Sequence, residues 1–390
     1  MLSPEYLDNL PQSLADLYSE LETFILTDIA RRLKVAGQAT STAEWQKQQA
    51  QLFSINNINQ KVAQILKQSN EKIDNMMNDA TKETIDSENA IYKKAGYDII
   101  TLSESKALQN YLKTAIKNTK GDVENITQSL GFAEVQDGKI VYNDIAKFYQ
   151  KELNVAHIKI ASGVQDYNTA IKQAANKIAE SGVRTISYNN GNKYSINIDS
   201  AARRAVLTSV HQFNQETTNY MMDELVPKEK QLAEVSAHWP CRPTHADWQG
   251  QVYRVHGSDE EYENLEEATD LGSVSGLMGA NCKHSYYAFV EGVSVRSYTD
   301  DELKERNTNA NRKREYSGNG KSYTEYEATQ YQRDIENQIR KLKRENQIYQ
   351  ETGLDKELKA NNSKMKDLRS EYKTFSNEMN IPLKMNRAQI

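Results

Sequence analysis

The chain has 390 residues, enough for two or three domains of about 100 to 200 residues and for at least one sizeable hydrophobic core. Its formal net charge of −5 gives no positive field for a nucleic-acid backbone, so any DNA contact would be local and incidental. We expect no membrane span and no signal peptide, and the two cysteines form no disulfide framework, which together favour a protein kept in the cytoplasm.

Helical periodicity dominates the N-terminal part of the chain. The leucines recur at spacings of three and four, at Leu7, Leu10, Leu14, Leu17 and Leu21. This spacing places them on one face of an amphipathic helix, and a similar pattern continues from Glu44 to about Lys94. We therefore predict a helical N-terminal bundle over residues 1–97 and a helical connector over residues 98–154.

The middle of the chain brings the first β signal. A helical stripe stops at Gly182, which is suited to follow a helix C-terminus. Alternating Ile and Tyr residues then flank Asn190-Gly191, a pattern that predicts a β-hairpin with strands at 185–188 and 194–198. Asp199 and Ser200 stand where an N-cap is needed for a helix running to about Leu225.

Short strands are also predicted at residues 234–237, 252–255 and 286–290, so residues 155–300 are interpreted as a compact α+β module. Residues 301–325, with the basic cluster Arg312 to Arg314, are predicted to be a flexible linker. Residues 326–390 predict a helical hairpin or a coiled-coil tail, which would fold back on itself or pair with a partner helix and so form oligomers. The predicted fold class is α+β and mostly helical.

Six of the eight Cys and His residues lie between positions 238 and 284: His238, Cys241, His245, His256, Cys282 and His284. One interpretation is a structural zinc site with Cys241, His245, Cys282 and His284 as ligands, although the C-x-H spacing is tight for two ligands on one ion. The simpler interpretation is that the imidazoles form hydrogen bonds and the cysteines are small buried apolar groups, with no cofactor. Both interpretations stay open at this stage.

A Cys and His cluster also suggests an alternative function, a zinc-dependent nucleic-acid-processing enzyme. The sequence has no H-E-x-x-H, G-x-S-x-G or Walker A motif that would complete such a centre. The acidic run over residues 259–270 offers no defensible pair of carboxylates and is most simply a solvated loop. We therefore expect a protein that is not an enzyme.

The same segment contains an ordered motif. A helix with two basic residues is followed by S-x-H-x-x-x-R-P-x-H-x-x-W-Q-G and, after an insert, by a Gly-rich approach to N-C-K-H. The matching residues are Arg203, Arg204, Ser236, His238, Arg242, Pro243, His245, Trp248, Gln249, Gly250, Gly276, Gly279, Asn281, Cys282, Lys283 and His284. In this arrangement the chain resembles the phage minor capsid protein 2 family of tailed phages and prophages.

The resemblance implies a small α+β minor-head module in a low-copy structural protein of the virion head. It implies binding to the portal protein and to other head proteins, a role in head assembly, and a further role in DNA packaging or ejection. Much of the family carries small residues such as Ala at the position of Cys241, which leaves His245, Cys282 and His284 as a partial ligand set.

Overall fold

The computed structural model describes residues 2, 4–39, 41–136, 139–189, 192–279 and 282–384. Most of these residues are helical, and their strands form small antiparallel sheets, so the predicted mostly helical α+β class is confirmed. None of the described helices combines the length and the apolar character that crossing a membrane requires.

The elements are numbered in chain order. The helices are α1 (Pro4–Asn9), α2 (Gln12–Gln38), α3 (Thr42–Phe53), α4 (Asn56–Lys94), α5 (Lys106–Gln128), α6 (Ile145–Ala161), α7 (Tyr167–Ser181), α8 (Ile198–Leu225), α9 (Leu265–Thr269), α10 (Asp300–Asn311), α11 (Glu325–Thr352) and α12 (Asp355–Met379). The strands are β1 (Gly131–Gln136), β2 (Lys139–Asp144), β3 (Arg184–Asn189), β4 (Asn192–Asn197), β5 (Leu232–Val235), β6 (Val252–Arg254), β7 (Tyr286–Phe289), β8 (Arg314–Glu315) and β9 (Ser322–Tyr323).

The chain divides into two compact units, each assembled from three separate stretches of sequence. Unit 1 comprises Met1–Pro11, Ile73–Thr119 and Val206–Gln330, and unit 2 comprises Gln12–Lys72, Lys120–Ala205 and Tyr331–Ile390. Neither unit coincides with one of the five consecutive segments predicted from the sequence. Periodicity shows which face of a helix is buried but not which distant segment covers it, so the predicted domain division stays a prediction.

Unit 2 contains a four-stranded antiparallel sheet in the order β2-β1-β3-β4. Strands β3 and β4 pair from Arg184↔Asn197 to Asn189↔Asn192, where the sequence predicted a hairpin. The predicted turn, Asn190-Gly191, lies outside the described residues. Strands β1 and β2 form a second hairpin inside the segment predicted as a helical connector, so the prediction of helix throughout residues 98–154 is wrong.

The sheet of unit 2 packs against helices through a buried aromatic pair. Phe132 of β1 stacks on Phe148 of α6 with the ring centroids 4.1 Å apart, and both side chains are fully buried. Gly182 follows α7 with φ at 63°, and its amide donates to the Ile178 carbonyl, as expected for a residue that ends a helix. A Cβ at Gly182 would lie 2.8 Å from Glu22 Oε1 and would have to displace this carboxylate, and the positive φ also favours glycine.

The predicted cap of the following helix is displaced. Helix α8 begins at Ile198, so Asp199 and Ser200 are its second and third residues and not the N-cap. Strand β4 runs directly into this helix without a connecting loop, and Asp199 instead pairs with Arg340 at 3.0 Å, with both residues in unit 2. Choosing a cap by residue type alone therefore placed the start of the helix too late in the sequence.

The C-terminal helices form an antiparallel hairpin. Gly353, with φ at 76°, separates α11 from α12. Ile335, Ile339 and Tyr372 form a buried cluster in unit 2, and the Tyr372 hydroxyl donates to Glu336 Oε1 over 2.7 Å. The tail therefore folds back on itself, the first of the two predicted arrangements.

Unit 1 is centred on a three-stranded sheet in the order β6-β5-β7, close to the strands predicted at 234–237, 252–255 and 286–290. Helices α4, α5 and α8 cover it, and the core side chains include Tyr92, Leu108, Met221, Met222, Ala233, Val235, Trp248, Tyr253, Leu277 and Ala288. The segment 301–325 departs from the predicted linker, because it carries helix α10 and the β8–β9 ladder. Thr299 and Glu302 form a reciprocal capping box that starts α10.

Candidate functional site

Two loops of unit 1 meet at the carboxyl end of β5, and together they carry the Cys and His residues of the motif. Because β5 and β7 are antiparallel, the loop after β5 starts beside the segment that precedes β7. The Ser236 amide donates to the Ser285 carbonyl over 2.8 Å, and the Ser285 amide donates to Ser236 Oγ over 3.0 Å. These two bonds extend the ladder and hold the loops together.

The side chains of His245, Cys282 and His284 converge in this region. Within the described part of the chain, they are the one group of three or more His, Cys, Asp or Glu residues with potential ligand atoms all within 4.8 Å. His245 Nδ1 lies 3.4 Å from His284 Nδ1, and Cys282 Sγ lies 3.6 Å from His284 Nδ1 and 4.0 Å from His245 Nδ1. The C-x-H pair thus shares one site despite its short spacing.

Each imidazole is oriented by its second nitrogen. His245 Nε2 lies 2.9 Å from the Ser275 carbonyl oxygen, and His284 Nε2 lies 3.0 Å from Gln249 Oε1. Since carbonyl and amide oxygens only accept hydrogen bonds, both Nε2 atoms must carry the proton. In the neutral rings both Nδ1 atoms therefore hold a lone pair, and these lone pairs point into the same small space.

The orientation of the Gln249 amide is fixed by its neighbours. Gln249 Oε1 also accepts from the His238 amide over 2.9 Å, while Gln249 Nε2 donates to Asn307 Oδ1 over 3.1 Å. Asn307 is fixed in turn, because its Oδ1 accepts from Trp239 Nε1 and its Nδ2 donates to the Ala246 carbonyl. This chain of bonds leaves Gln249 Oε1 as an acceptor for His284, so the tautomer of His284 follows from the network.

Burial keeps the three histidines of the site neutral. Desolvation lowers the pKa of His284 to about 2 and that of His238 to about 4, and it lowers the pKa of His245 as well. It also raises the pKa of the Cys282 thiol. A neutral imidazole is the form that binds metal, whereas the thiol must lose its proton to a cation to become a ligand.

Cys241 stands apart from the group, although the sequence suggested it as a fourth ligand. Its Sγ accepts a hydrogen bond from Gln249 Nε2 over 3.3 Å, and desolvation raises its pKa to about 11. On a helix, a C-x3-H pair would share one face. Arg242 has φ at −63° and ψ at 144°, an extended conformation, and the single helical turn starts only at Pro243.

The other motif residues pack around the group or shape its loops. The ring of Trp248 lies 4.5 Å from that of His245 and 4.9 Å from that of His284, and Trp248 is also part of the unit 1 core. A Cβ on Gly276 would lie 1.9 Å from the Asp270 carbonyl oxygen, so any side chain at position 276 would collide with the backbone of this loop. Gly279 is equally constrained by the Ser273 carbonyl oxygen, at 2.3 Å.

Three further motif residues, Arg203, Arg204 and Gly250, lie outside the group. Arg203 and Arg204 belong to unit 2, where Arg203 donates to Gln12 Oε1. Gly250 has φ at 71° and lies against Leu303, which is a packing role. Asn281 lies outside the described residues.

Two residues of the site were missed at the sequence level. Ser275 contributes only its carbonyl oxygen, so no residue type could have revealed it. Asn307 lies on α10, in the segment predicted as a flexible linker. The T-x-x-E sequence of Thr299 to Glu302 is a capping-box signal that would have predicted this helix, but not its contact with Gln249.

The acidic run forms a structured surface loop. Asp259 Oδ1 accepts from the amides of Glu261 and Tyr262, and the Asp259 carboxylate pairs with Arg254. Asn264 then caps the short helix α9. The described carboxylates of this run are therefore turn formers and solvated groups, as their composition indicated.

Two cavities are lined in part by residues of the loop between β5 and β6, and neither is lined by any of the three members of the group. One, of about 300 Å³, is lined in part by Cys241, Pro243 and Asn307. The other, of about 710 Å³, is lined in part by Asp247, Asp300 and Asn307.

Comparison with models of known protein families gives a match over nearly the whole chain. The family model described as Phage minor capsid protein 2 matches residues 2–377 of the chain. No curated protein and no solved structure matches it.

Proposed function

The chain belongs to the phage minor capsid protein 2 family, and we propose that within the phage head it binds the portal protein as a low-copy assembly component. Family membership makes it a structural protein of the virion head, with other phage head proteins as partners. The match over residues 2–377 is the observation that carries the proposal, because it covers both compact units.

The portal is proposed as the partner because of the symmetry of the shell and the low copy number of a minor protein. A minor protein is present in too few copies to occupy every equivalent position of a closed symmetric shell. The portal occupies a unique position in the shell, and a protein that binds there needs few copies. Roles in DNA packaging or ejection would then act through the portal.

We propose that the protein has no catalytic role in the head. Hydrolytic centres that cleave phosphodiesters commonly bind two metal ions about 3.5 to 4 Å apart between carboxylates. Among the described residues, no carboxylate joins the group of His245, Cys282 and His284. Arg314 of the basic cluster pairs with Glu325 at 3.6 Å and Arg203 donates to Gln12 Oε1, which supports DNA contact as incidental.

The portal proposal is tested by co-expressing the full chain with the portal protein of the same phage genome and, separately, with its major capsid protein. We expect the chain to co-elute with the portal ring in size-exclusion chromatography and not with the major capsid protein. Quantitative mass spectrometry of purified virions should find far fewer copies of the chain than of the major capsid protein.

Co-elution with the major capsid protein alone would overturn portal binding while leaving head membership intact. The non-catalytic proposal is checked by incubating the purified chain with single- and double-stranded DNA and RNA, with added Zn²⁺ or Mg²⁺. Cleavage that survives repurification and stops on chelation would contradict it.

A further inference from the structure

We propose that His245, Cys282 and His284 bind one divalent cation of the zinc class through His245 Nδ1, Cys282 Sγ and His284 Nδ1. This site does not depend on the portal proposal, because it rests on side-chain geometry inside unit 1.

The distances between the three atoms fit three corners of a zinc tetrahedron. Zinc lies about 2.0 to 2.1 Å from imidazole nitrogen and about 2.3 Å from thiolate sulfur, so tetrahedral angles place two nitrogens about 3.3 Å apart and nitrogen and sulfur about 3.6 Å apart. The nitrogens of His245 and His284 are 3.4 Å apart, and the sulfur of Cys282 is 3.6 Å and 4.0 Å from them. Only the 4.0 Å distance must shorten, by about 0.4 Å.

The hydrogen-bond network prepares these atoms for a cation. The Ser275 carbonyl and Gln249 Oε1 hold the two Nε2–H groups, as carbonyl oxygens do for metal-bound histidines in general. Both Nδ1 lone pairs are therefore directed toward the Cys282 sulfur, whose single S–H can donate to only one of them. A cation in this space would instead bind both nitrogens and the Cys282 thiolate.

Burial favours the same conclusion. His245 and His284 are 2% and 3% exposed, so water cannot readily solvate the two lone pairs. On binding, the Cys282 thiol releases its proton to solvent, and the thiolate offsets one of the two positive charges of the cation. Among the described residues no fourth His, Cys, Asp or Glu joins the group, so these three side chains are the ligands that we assign.

The cation would join two loops that are far apart in sequence. His245 lies in the loop between β5 and β6, and Cys282 and His284 lie just before β7, 37 and 39 residues later. The site would therefore fix the position of the segment between them, which includes the acidic loop and α9.

The other cysteine provides a matched control. The full chain, produced without a histidine tag, is analysed for bound metal as the wild type and as Cys282→Ser and Cys241→Ser. We expect about one zinc per chain in the wild type and in Cys241→Ser, and at least a tenfold loss of zinc affinity in Cys282→Ser. Circular dichroism shows whether each variant is folded.

A second measurement does not depend on any variant. X-ray absorption of the zinc-loaded wild type should show one sulfur and two imidazole nitrogens around the metal. Failure of the wild type to bind Zn²⁺ or Co²⁺ would overturn the proposal, as would equal zinc binding by a folded Cys282→Ser. Loss of zinc in Cys241→Ser, or two sulfurs in the absorption spectrum, would replace it with the Cys2His2 site.

Discussion

Replacement of Gln249 by Leu tests whether the hydrogen-bond network stabilises the motif loops of unit 1. Gln249 is 1% exposed, and its Oε1 accepts from the His238 amide and from His284 Nε2. Leucine would leave both donors without their acceptor in a region closed to water. Each buried donor without a partner costs about 1 to 3 kcal/mol, and the added apolar burial offsets about 1 kcal/mol, so the expected destabilisation is about 3 kcal/mol.

Urea unfolding with EDTA present separates this effect from any metal. Tryptophan fluorescence gives the global transition, and hydrogen exchange of peptides covering residues 232–290 reports unit 1 locally. Gln251→Leu is the matched control, because the Gln251 amide bonds to Arg296 and Asp300 near the surface, where water can replace it. It should cost less than about 1 kcal/mol. The reasoning fails if Gln249→Leu destabilises no more than Gln251→Leu.

Three further substitutions test other parts of the fold. Desolvation raises the pKa of the buried Glu88 carboxyl, so the protonated form stabilises the fold below about pH 4.5 and this stabilisation is lost as the pH rises. Glu88→Gln should therefore reduce the pH dependence of the free energy of unfolding by up to about 1.4 kcal/mol per pH unit, measured in urea titrations at pH 4.5 to 8. Gly182→Ala should destabilise unit 2 by about 1 to 3 kcal/mol, and more than Gly163→Ala, whose added methyl meets open space; equal losses would contradict the steric argument. Ile339→Ala, at a fully buried position, should cost about 2 to 5 kcal/mol in the same urea assay, and a loss below 1 kcal/mol would contradict its place in the hairpin core.

The strands of the two sheets differ in how readily the sequence predicted them. The strands at 234–237, 252–255 and 286–290 were predicted close to their observed positions, because short apolar runs stand out between polar loops. The hairpin of β1 and β2 was missed inside a helical prediction, although Asp137-Gly138 between alternating apolar residues is a hairpin signal. The prediction followed the helical periodicity of the neighbouring residues and did not take this local turn signal into account.

The division into two units could not be read from the sequence for a different reason. Each unit collects three stretches that are separated by 47 to 125 residues of intervening chain, and apolar periodicity is the same whichever distant partner covers a helix face. The C-terminal hairpin was easier, because Gly353 and the repeating apolar positions on both sides are local signals.

The two interpretations of the Cys and His cluster, a metal site or a hydrogen-bond network, describe different atoms of the same residues. The network accounts for the Nε2 atoms of His245 and His284, for Gln249 and for Cys241. It accounts for only one of the two Nδ1 lone pairs, because Cys282 has a single S–H to donate and its Sγ lies 3.6 Å from His284 Nδ1 and 4.0 Å from His245 Nδ1. A network that served only to pair buried polar groups would turn one ring so that a donor met an acceptor. The two imidazole rings are instead oriented so that both Nδ1 atoms and the Cys282 sulfur surround one point. A cation bound at that point would explain why the rings have this orientation.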